Sequence, residues 1–275
     1  LENLNLKKRK PLRLSRWISF LNNLHSSSNI LKIAIVGKYM ELHDAYKSIS
    51  ESLIHAGANL NSKVEIKWIL SEKIKNSNVK SKLRNIDGVI VAPGFGERGV
   101  EGKISSIKYV RENNVPFFGI CLGMQCACIE FTRNVLGKKD ANSTEFDTNT
   151  NYPIIDLMEE QKRIKNKGGT MRLGSYACTL SKNSLTQKAY KEDKVTERHR
   201  HRYEFNNDYL EEFKNNGMNP TGINKKLNLV EVIELKNHPW FIGTQYHPEY
   251  KSRVLKPHPL FISFVKKIKS IKNGQ

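Results

Sequence analysis

The stretch Gly119-Ile120-Cys121-Leu122-Gly123 decides how this chain is read. It joins an apolar run, Pro116 to Cys121, that has the character of a buried strand to a segment, Leu122 to Gly137, with helical periodicity. A cysteine between two glycines at such a junction is the thiol form of the nucleophile elbow, written G-x-S-x-G in hydrolases. The turn is sharp, and glycines two positions to either side leave room for the strained backbone to pass its neighbours. The thiol then stands at the carboxyl end of the sheet with the helix N-terminus directed at it, which favours thiolate. The Leu122 N–H, just past the nucleophile, points where an oxyanion would develop. Most cysteines are simply buried, and Cys126, Cys128 and Cys178 are read that way, with no metal site expected among them.

Around the elbow the pattern repeats. Leu31 to Val36, Val64 to Leu70 and Gly88 to Ala92 are short runs dominated by apolar residues and read as strands, and helical segments at Ala45 to Leu60 and Lys103 to Asn113 alternate with them. Strands apolar on both faces, alternating with helices, predict an α/β fold with a mostly parallel central sheet flanked by helices. Lys138 to Gly169 has little periodicity and is expected to form loops. Met171 to Leu180, Arg198 to Phe205, Leu229 to Leu235 and Trp240 to Tyr246 are expected to be further strands, with a closing helix at Pro259 to Ile271. Residues 1–29 are basic, carry one Trp-containing apolar patch (Trp17 to Leu24) and end in a serine run. They are expected to be a linker, with one domain over 30–275.

A thiolate nucleophile needs a base to carry a proton and a third group to orient that base. Gln245-Tyr246-His247-Pro248-Glu249 supplies both near the C-terminus. On an extended segment residues two apart face the same side, so Glu249 is placed to orient the His247 imidazole, with Pro248 stiffening the link. Upstream, Ala92-Pro93-Gly94-Phe95-Gly96 is a glycine-rich turn at a strand end, where backbone N–H groups approach a ligand closely. Gly94 is the candidate for the second oxyanion donor.

Composition excludes several classes. With 38% hydrophobic residues and 9 prolines among 275 residues the chain buries a full core. No apolar run reaches the roughly 18 residues of a membrane span, and Leu1 to Lys10 lacks a signal-peptide core. Four clustered cysteines are too few for a disulfide scaffold and suit a reducing compartment. The absence of an initiator Met makes a fragment of a longer chain the expectation. The net charge of +19 comes from 46 Lys and Arg against 27 Asp and Glu, but the lysines are scattered in pairs, often beside Asn. No cluster interleaves Arg with aromatics, so neither a nucleic-acid partner nor a membrane surface is expected.

Taken together, the Gly94 turn, Gly119-Ile120-Cys121-Leu122-Gly123-Met124-Gln125 and His247-Pro248-Glu249 resemble the class I glutamine amidotransferases. Three strings narrow the resemblance to the glutaminase domain of the CTP synthase family: Ala141-Asn142-Ser143-Thr144-Glu145-Phe146, Gly168-Gly169-Thr170-Met171-Arg172-Leu173-Gly174 and Glu197-Arg198-His199-Arg200-His201-Arg202-Tyr203. It covers Ile30 to the end, and Leu6 to Trp17 resembles that family's interdomain linker. The resemblance implies hydrolysis of L-glutamine through a Cys121–His247–Glu249 triad and a thioester. It also implies a glutamine site of Gly94, Leu122, Gly123, Met124, Gln125, Glu145 and Arg202, in which the carboxylate meets the α-ammonium and the guanidinium the α-carboxylate. It implies no cofactor on this chain. ATP, UTP and Mg2+ are expected on a separate amidoligase domain that uses the ammonia to make CTP, with GTP as an effector. A cytoplasmic homo-oligomer, a tetramer in the family, is the implied setting. One departure is Ala92-Pro93-Gly94, where many members have Pro-Gly-Gly. A different triad amidotransferase or a γ-glutamyl hydrolase is the enzymatic alternative, and a basic nucleic-acid or filament-interaction module the non-enzymatic one.

Overall fold

A run that is apolar at all but one position, as in the Ile30–Gly37 stretch ILKIAIVG with Lys32 the exception, favours a strand sandwiched between two layers of helix. The structure is a computed structural model and describes residues 2–4, 13–157 and 171–274. Much of the Leu6 to Trp17 linker string, and Gly168, Gly169 and Thr170, lie outside the described residues. The chain runs through α1 (Ser15–Ser26), β1 (Ile30–Gly37), α2 (Lys47–Asn59), β2 (Lys63–Leu70), α3 (Val79–Lys82), β3 (Gly88–Val91), α4 (Val100–Glu112), β4 (Phe117–Ile120) and α5 (Leu122–Asn134). It continues through β5 (Asn142–Ser143), β6 (Pro153–Asp156), β7 (Arg172–Leu180), α6 (Leu185–Tyr190), β8 (Lys194–His201), β9 (Glu204–Phe205) and α7 (Leu210–Asn215). It closes with β10 (Met218–Asn224), β11 (Leu229–Leu235), β12 (Phe241–Thr244) and α8 (Pro259–Lys272).

The main sheet has the order β2-β1-β3-β4-β12-β11-β10-β7-β8. From β2 to β12 all neighbours are parallel, and from β12 to β8 all are antiparallel. The parallel half is covered on both faces. Val36, Val91, Ile107, Met124 and Phe131 belong to the core on the α4–α5 side; Ile35, Ile90, Phe118, Leu53 and Phe264 belong to the core on the α2–α8 side. Alternate residues of one strand therefore feed opposite layers. Among the described residues no helix is long and apolar enough to cross a membrane.

Several elements differ from the sequence expectation. The strand expected over Arg198 to Phe205 begins earlier, at Lys194, and breaks at Arg202 and Tyr203 before the short β9. The loop expected at Lys138 to Gly169 contains β5 and β6, which form a second small sheet with β9. β10 was not expected at all: Pro220 and Gly222 interrupt its periodicity, and the register shifts at those two residues.

The elbow is visible in the backbone. Cys121 has φ 52° and ψ −105°, a left-handed conformation that costs a non-glycine residue of order 1–3 kcal/mol and persists only where surroundings impose it. They do so through close approach. A Cβ at Gly123 would lie 2.2 Å from the Val91 carbonyl oxygen, and one at Gly119 would lie 2.8 Å from the Gly123 carbonyl. Both glycines are required by contact, and they let α5 begin directly against β3 and β4.

Two stability outcomes are expected. Phe118 is fully buried and packs edge-on against Trp240 and Phe261 with ring centroids 5.4 and 5.3 Å apart. Phe118→Ala should cost about 3–5 kcal/mol in urea unfolding. Gly123→Ala should cost about 1–3 kcal/mol, because a methyl group must push α5 off the backbone of β3. A Gly123→Ala protein with an unchanged midpoint would mean that the elbow has slack the contacts deny.

Candidate active site

Five parallel strands end at one edge, and the residues immediately past the inner four are Lys38, Ala92, Cys121 and Gln245. Ligand sites in open α/β sheets form at this carboxyl edge because the loops diverge there. Cys121 N–H donates to the Thr244 carbonyl at 2.7 Å, which ties the elbow to the neighbouring strand. The Cys121 Sγ lies 3.7 Å from Gln245 Nε2 and 4.0 Å from the Arg200 carbonyl.

The chain past β12 was expected to stay extended through Glu249. It instead turns, and Pro248–Lys251 forms a single 3-10 turn that begins after His247. The pairing survives this change: Glu249 Oε1 lies 2.7 Å from His247 Nδ1. Burial opposes protonation of this imidazole, but the Glu249 carboxylate and Cys121 outweigh it and hold its pKa well above the ordinary histidine value. The Tyr250 ring stacks on it at 4.9 Å and 6° between planes, and the His247 backbone N–H donates to the Arg198 carbonyl at 2.8 Å. With Nδ1 held by the carboxylate, Nε2 is the nitrogen left to face Cys121.

Cys121 borders two cavities. One is lined by Gly94, Phe95, Gln125, Glu145, His201, Arg202 and Tyr203, together with Met171. The other opens past Tyr39, Pro93, Arg200, His247 and Tyr250. A carboxylate and a guanidinium thus share the first cavity with the thiol, while the imidazole stands on the second. Glu145 Oε1 accepts from the Gly96 N–H at 2.7 Å. Burial raises its pKa, against the opposing pull of that N–H and of Lys38, Arg202 and Lys103. In the string Leu122 to Gln125, Gln125 faces the cavity and donates to the Tyr203 carbonyl at 2.9 Å. Leu122 and Met124 bury their side chains in the core, and Gly123 lies against Val91. The Gly94 N–H donates to no group among the described residues.

Behind the first cavity lies a buried charge cluster that the sequence reading did not identify. Arg172 donates to Glu204 at 2.9 Å and to Glu231 at 2.7 Å, and Glu204 also binds His201 Nε2 at 2.8 Å. Burial, against the pull of Arg172 and with a push from Glu204, raises the Glu231 carboxyl to about 7. Burial and the positive charge of Arg172 lower His199 to about 2. Arg172 and His201 stood in quoted strings, but Glu231 sits in an apolar strand where nothing marks it. Gln245, Tyr250, Lys38 and Lys103 were likewise not singled out as site residues. Among the described residues no group of three or more His, Cys, Asp or Glu is placed to hold a metal ion.

The chain as a whole is similar to known proteins. The family model described as "Glutamine amidotransferase class-I" matches residues 41–267. A CTP synthase from Cytophaga hutchinsonii is 54% identical over 275 residues, covering 100% of this chain and 51% of that protein. One from Christiangramia forsetii is 58% identical over 253 residues, covering 92% of this chain and 46% of its own. The chain spans about half the length of the curated relatives it matches. Among solved structures, the glutaminase domain of Trypanosoma brucei CTPS with bound acivicin superposes with a TM-score of 0.81 at 35% identity, over 86% of this chain and 93% of that one. An elbow cysteine at the carboxyl edge of the sheet and a family match over most of the chain lead to one conclusion: this protein belongs to the class-I glutamine amidotransferase family.

Proposed function

We propose that this chain is the glutamine-hydrolysing part of a CTP synthase, with Cys121, His247 and Glu249 as its catalytic triad. The observation that carries this is the position of Cys121 on a strained elbow, with His247 on one side and a cavity holding Glu145 and Arg202 on the other. L-Glutamine extended in that cavity places its carboxamide at the thiol and its zwitterionic end between the carboxylate and the guanidinium. The solved relative with acivicin supports the same class of ligand.

The chemistry follows from the geometry. The Cys121 sulfur attacks the carboxamide carbon, and the carbonyl π pair moves to oxygen, where the N–H groups of Leu122 and Gly94 receive the negative charge. His247, held as an imidazolium by Glu249, gives its proton to the departing nitrogen, and ammonia leaves as the γ-glutamyl thioester forms. Water, deprotonated by the same imidazole, then attacks the thioester and releases glutamate and the thiol. Leu122 to Gln125 complete the pocket, in which Gln125 contributes its side chain.

The ammonia is destined for an amidoligase domain beyond this chain that carries ATP, UTP and Mg2+, with GTP as an effector and a homo-oligomeric whole. No residue here is assigned to those groups. The relatives' greater length supports such a domain. The division into a linker at 1–29 and a domain at 30–275 is part of the same reading. α1 rests on the domain through Asn23 and Arg16, whose side chains donate to Ala58 and Leu255 carbonyls at 3.0 and 2.7 Å. It leaves Leu14, Trp17 and Ile18 exposed, a face suited to a neighbouring domain. A cytoplasmic setting agrees with four free cysteines.

Two outcomes test this reading. Acivicin at neutral pH should modify Cys121 and leave the others intact, as read by peptide mass spectrometry. Burial pushes the Cys126 thiol up to about 12 and the Cys128 and Cys178 thiols higher still, so none of them offers appreciable thiolate. Equal labelling of Cys126 or Cys178 in folded protein would sink the assignment. In steady-state glutamine hydrolysis, Glu145→Ala and Arg202→Ala should each raise KM about tenfold or more. His247→Ala should instead lower kcat by about 10²–10⁴. An unchanged KM in both of the first two variants would remove them from the glutamine site.

A further inference from the structure

Lys103 is wholly buried, and among the described residues its hydrogen-bond acceptor is a backbone carbonyl and not a carboxylate: Nζ donates to Ala92 O at 2.8 Å. A lysine without solvent or a paired anion is expensive to bury, and burial lowers its pKa to about 8. It lies within the site, since a Cβ at Gly94 would come within 3.8 Å of its Nζ. The mechanism above gives it nothing to do.

The turn it holds explains its place. The Ala92 N–H is tied to the Val36 carbonyl at 2.9 Å, and the Ala92 carbonyl to Lys103, so both sides of this residue are fixed. Pro93 follows with φ locked by its ring. On the far side, the peptide between Phe95 and Gly96 is also held at both ends. Its carbonyl accepts from Lys38 Nζ, and its N–H donates to Glu145 at 2.7 Å. Between these two fixed peptide planes stands the Gly94 N–H, without a partner among the described residues. A peptide flip there would replace a donor by a carbonyl at the place where negative charge develops.

We propose that Lys103 is a positioning residue for the oxyanion hole, holding the Ala92-Pro93-Gly94 turn so that the Gly94 N–H faces the carbon attacked by Cys121. This rests on the glutaminase reading. The same contacts link the hole to substrate: Glu145, which meets the glutamine ammonium, also anchors Gly96, so an occupied pocket tightens the turn that Lys103 sets from the other end.

The test compares chemistry that needs the hole with chemistry that does not. Open-chain L-glutamate γ-semialdehyde adds the Cys121 sulfur to its aldehyde carbon. The carbonyl π pair goes to oxygen, no group leaves, and the product is a tetrahedral thiohemiacetal whose oxygen occupies the hole. Iodoacetamide alkylates the same sulfur by displacing iodide and forms no oxyanion. For Lys103→Met we expect semialdehyde affinity to fall about 10²-fold, in line with the loss of one oxyanion donor, while the iodoacetamide rate at Cys121 stays within about twofold. Lys103→Arg, which retains donor and charge, should restore affinity to within about tenfold of the parent chain, with a 13C label on the aldehyde reporting the tetrahedral carbon. If Lys103→Met fails to melt cooperatively, Lys103→Arg carries the comparison alone. A folded Lys103→Met that binds the semialdehyde as the parent does, or a folded Lys103→Arg that loses as much as 10²-fold, overturns the proposal and leaves the glutaminase reading standing. If the parent chain itself forms no thiohemiacetal at Cys121, both fall.

Discussion

The close approach of three backbones at Gly119, Gly123 and Val91 is the constraint on which the site depends. With side chains at either glycine, α5 could not start where β4 ends, and Cys121 could not adopt its left-handed conformation. The strain at that residue is balanced by the packing of the parallel strands, whose cores are closed on both faces by helices. Because those strands are parallel and in register, their carboxyl ends arrive at one edge. The Ala92-Pro93-Gly94 turn, Cys121 and the segment bearing His247 follow β3, β4 and β12 and are therefore neighbours, although up to 155 residues separate them in the chain, from Ala92 to His247.

Around this edge the protein uses charge sparingly and mostly in fixed pairs. Glu249 holds the imidazole from the side away from the thiol, so the ring nitrogen that faces Cys121 is selected by a single 2.7 Å contact. Arg172 gathers Glu204 and Glu231 behind the first cavity, where an unpaired carboxylate would be costly to bury. Its neighbour in that cluster, His201, lines the cavity itself. A buried ionic support of this kind favours one geometry of the wall more than it adds to overall stability, since desolvation offsets much of the attraction.

The sequence disclosed the parts of this design that are local. The elbow announced itself because Cys121 and its two glycines lie within five residues, and the His247–Glu249 pair because they are two residues apart. β3 and β4 were legible because strands buried on both faces are uninterrupted apolar runs, and β1 and β2 because apolar residues dominate them despite Lys32, Glu65 and Lys67. What escaped notice depends on distant partners. Glu231 becomes meaningful only when Arg172, 59 residues away, is brought beside it. β8 alternates exposed and buried residues, but three of its four buried members are Glu197, His199 and His201, with Val195 the only apolar one, so a pattern search for apolar residues misplaces its start. β10 was hidden by Pro220 and Gly222, and α6 and α7 by their length of six residues each. Lys103 was read only as the first residue of an expected helix, because nothing in its neighbours signals burial against the Ala92 carbonyl.

The central claim is that glutamine passes through a covalent bond to the elbow cysteine. Quenching the protein in acid during glutamine turnover and mapping the acylated peptide by mass spectrometry examines that bond directly. The account predicts a γ-glutamyl thioester on Cys121, formed with release of ammonia and lost on mild base treatment. Turnover with an intermediate on another residue, or undiminished turnover in a Cys121→Ala protein, would contradict it.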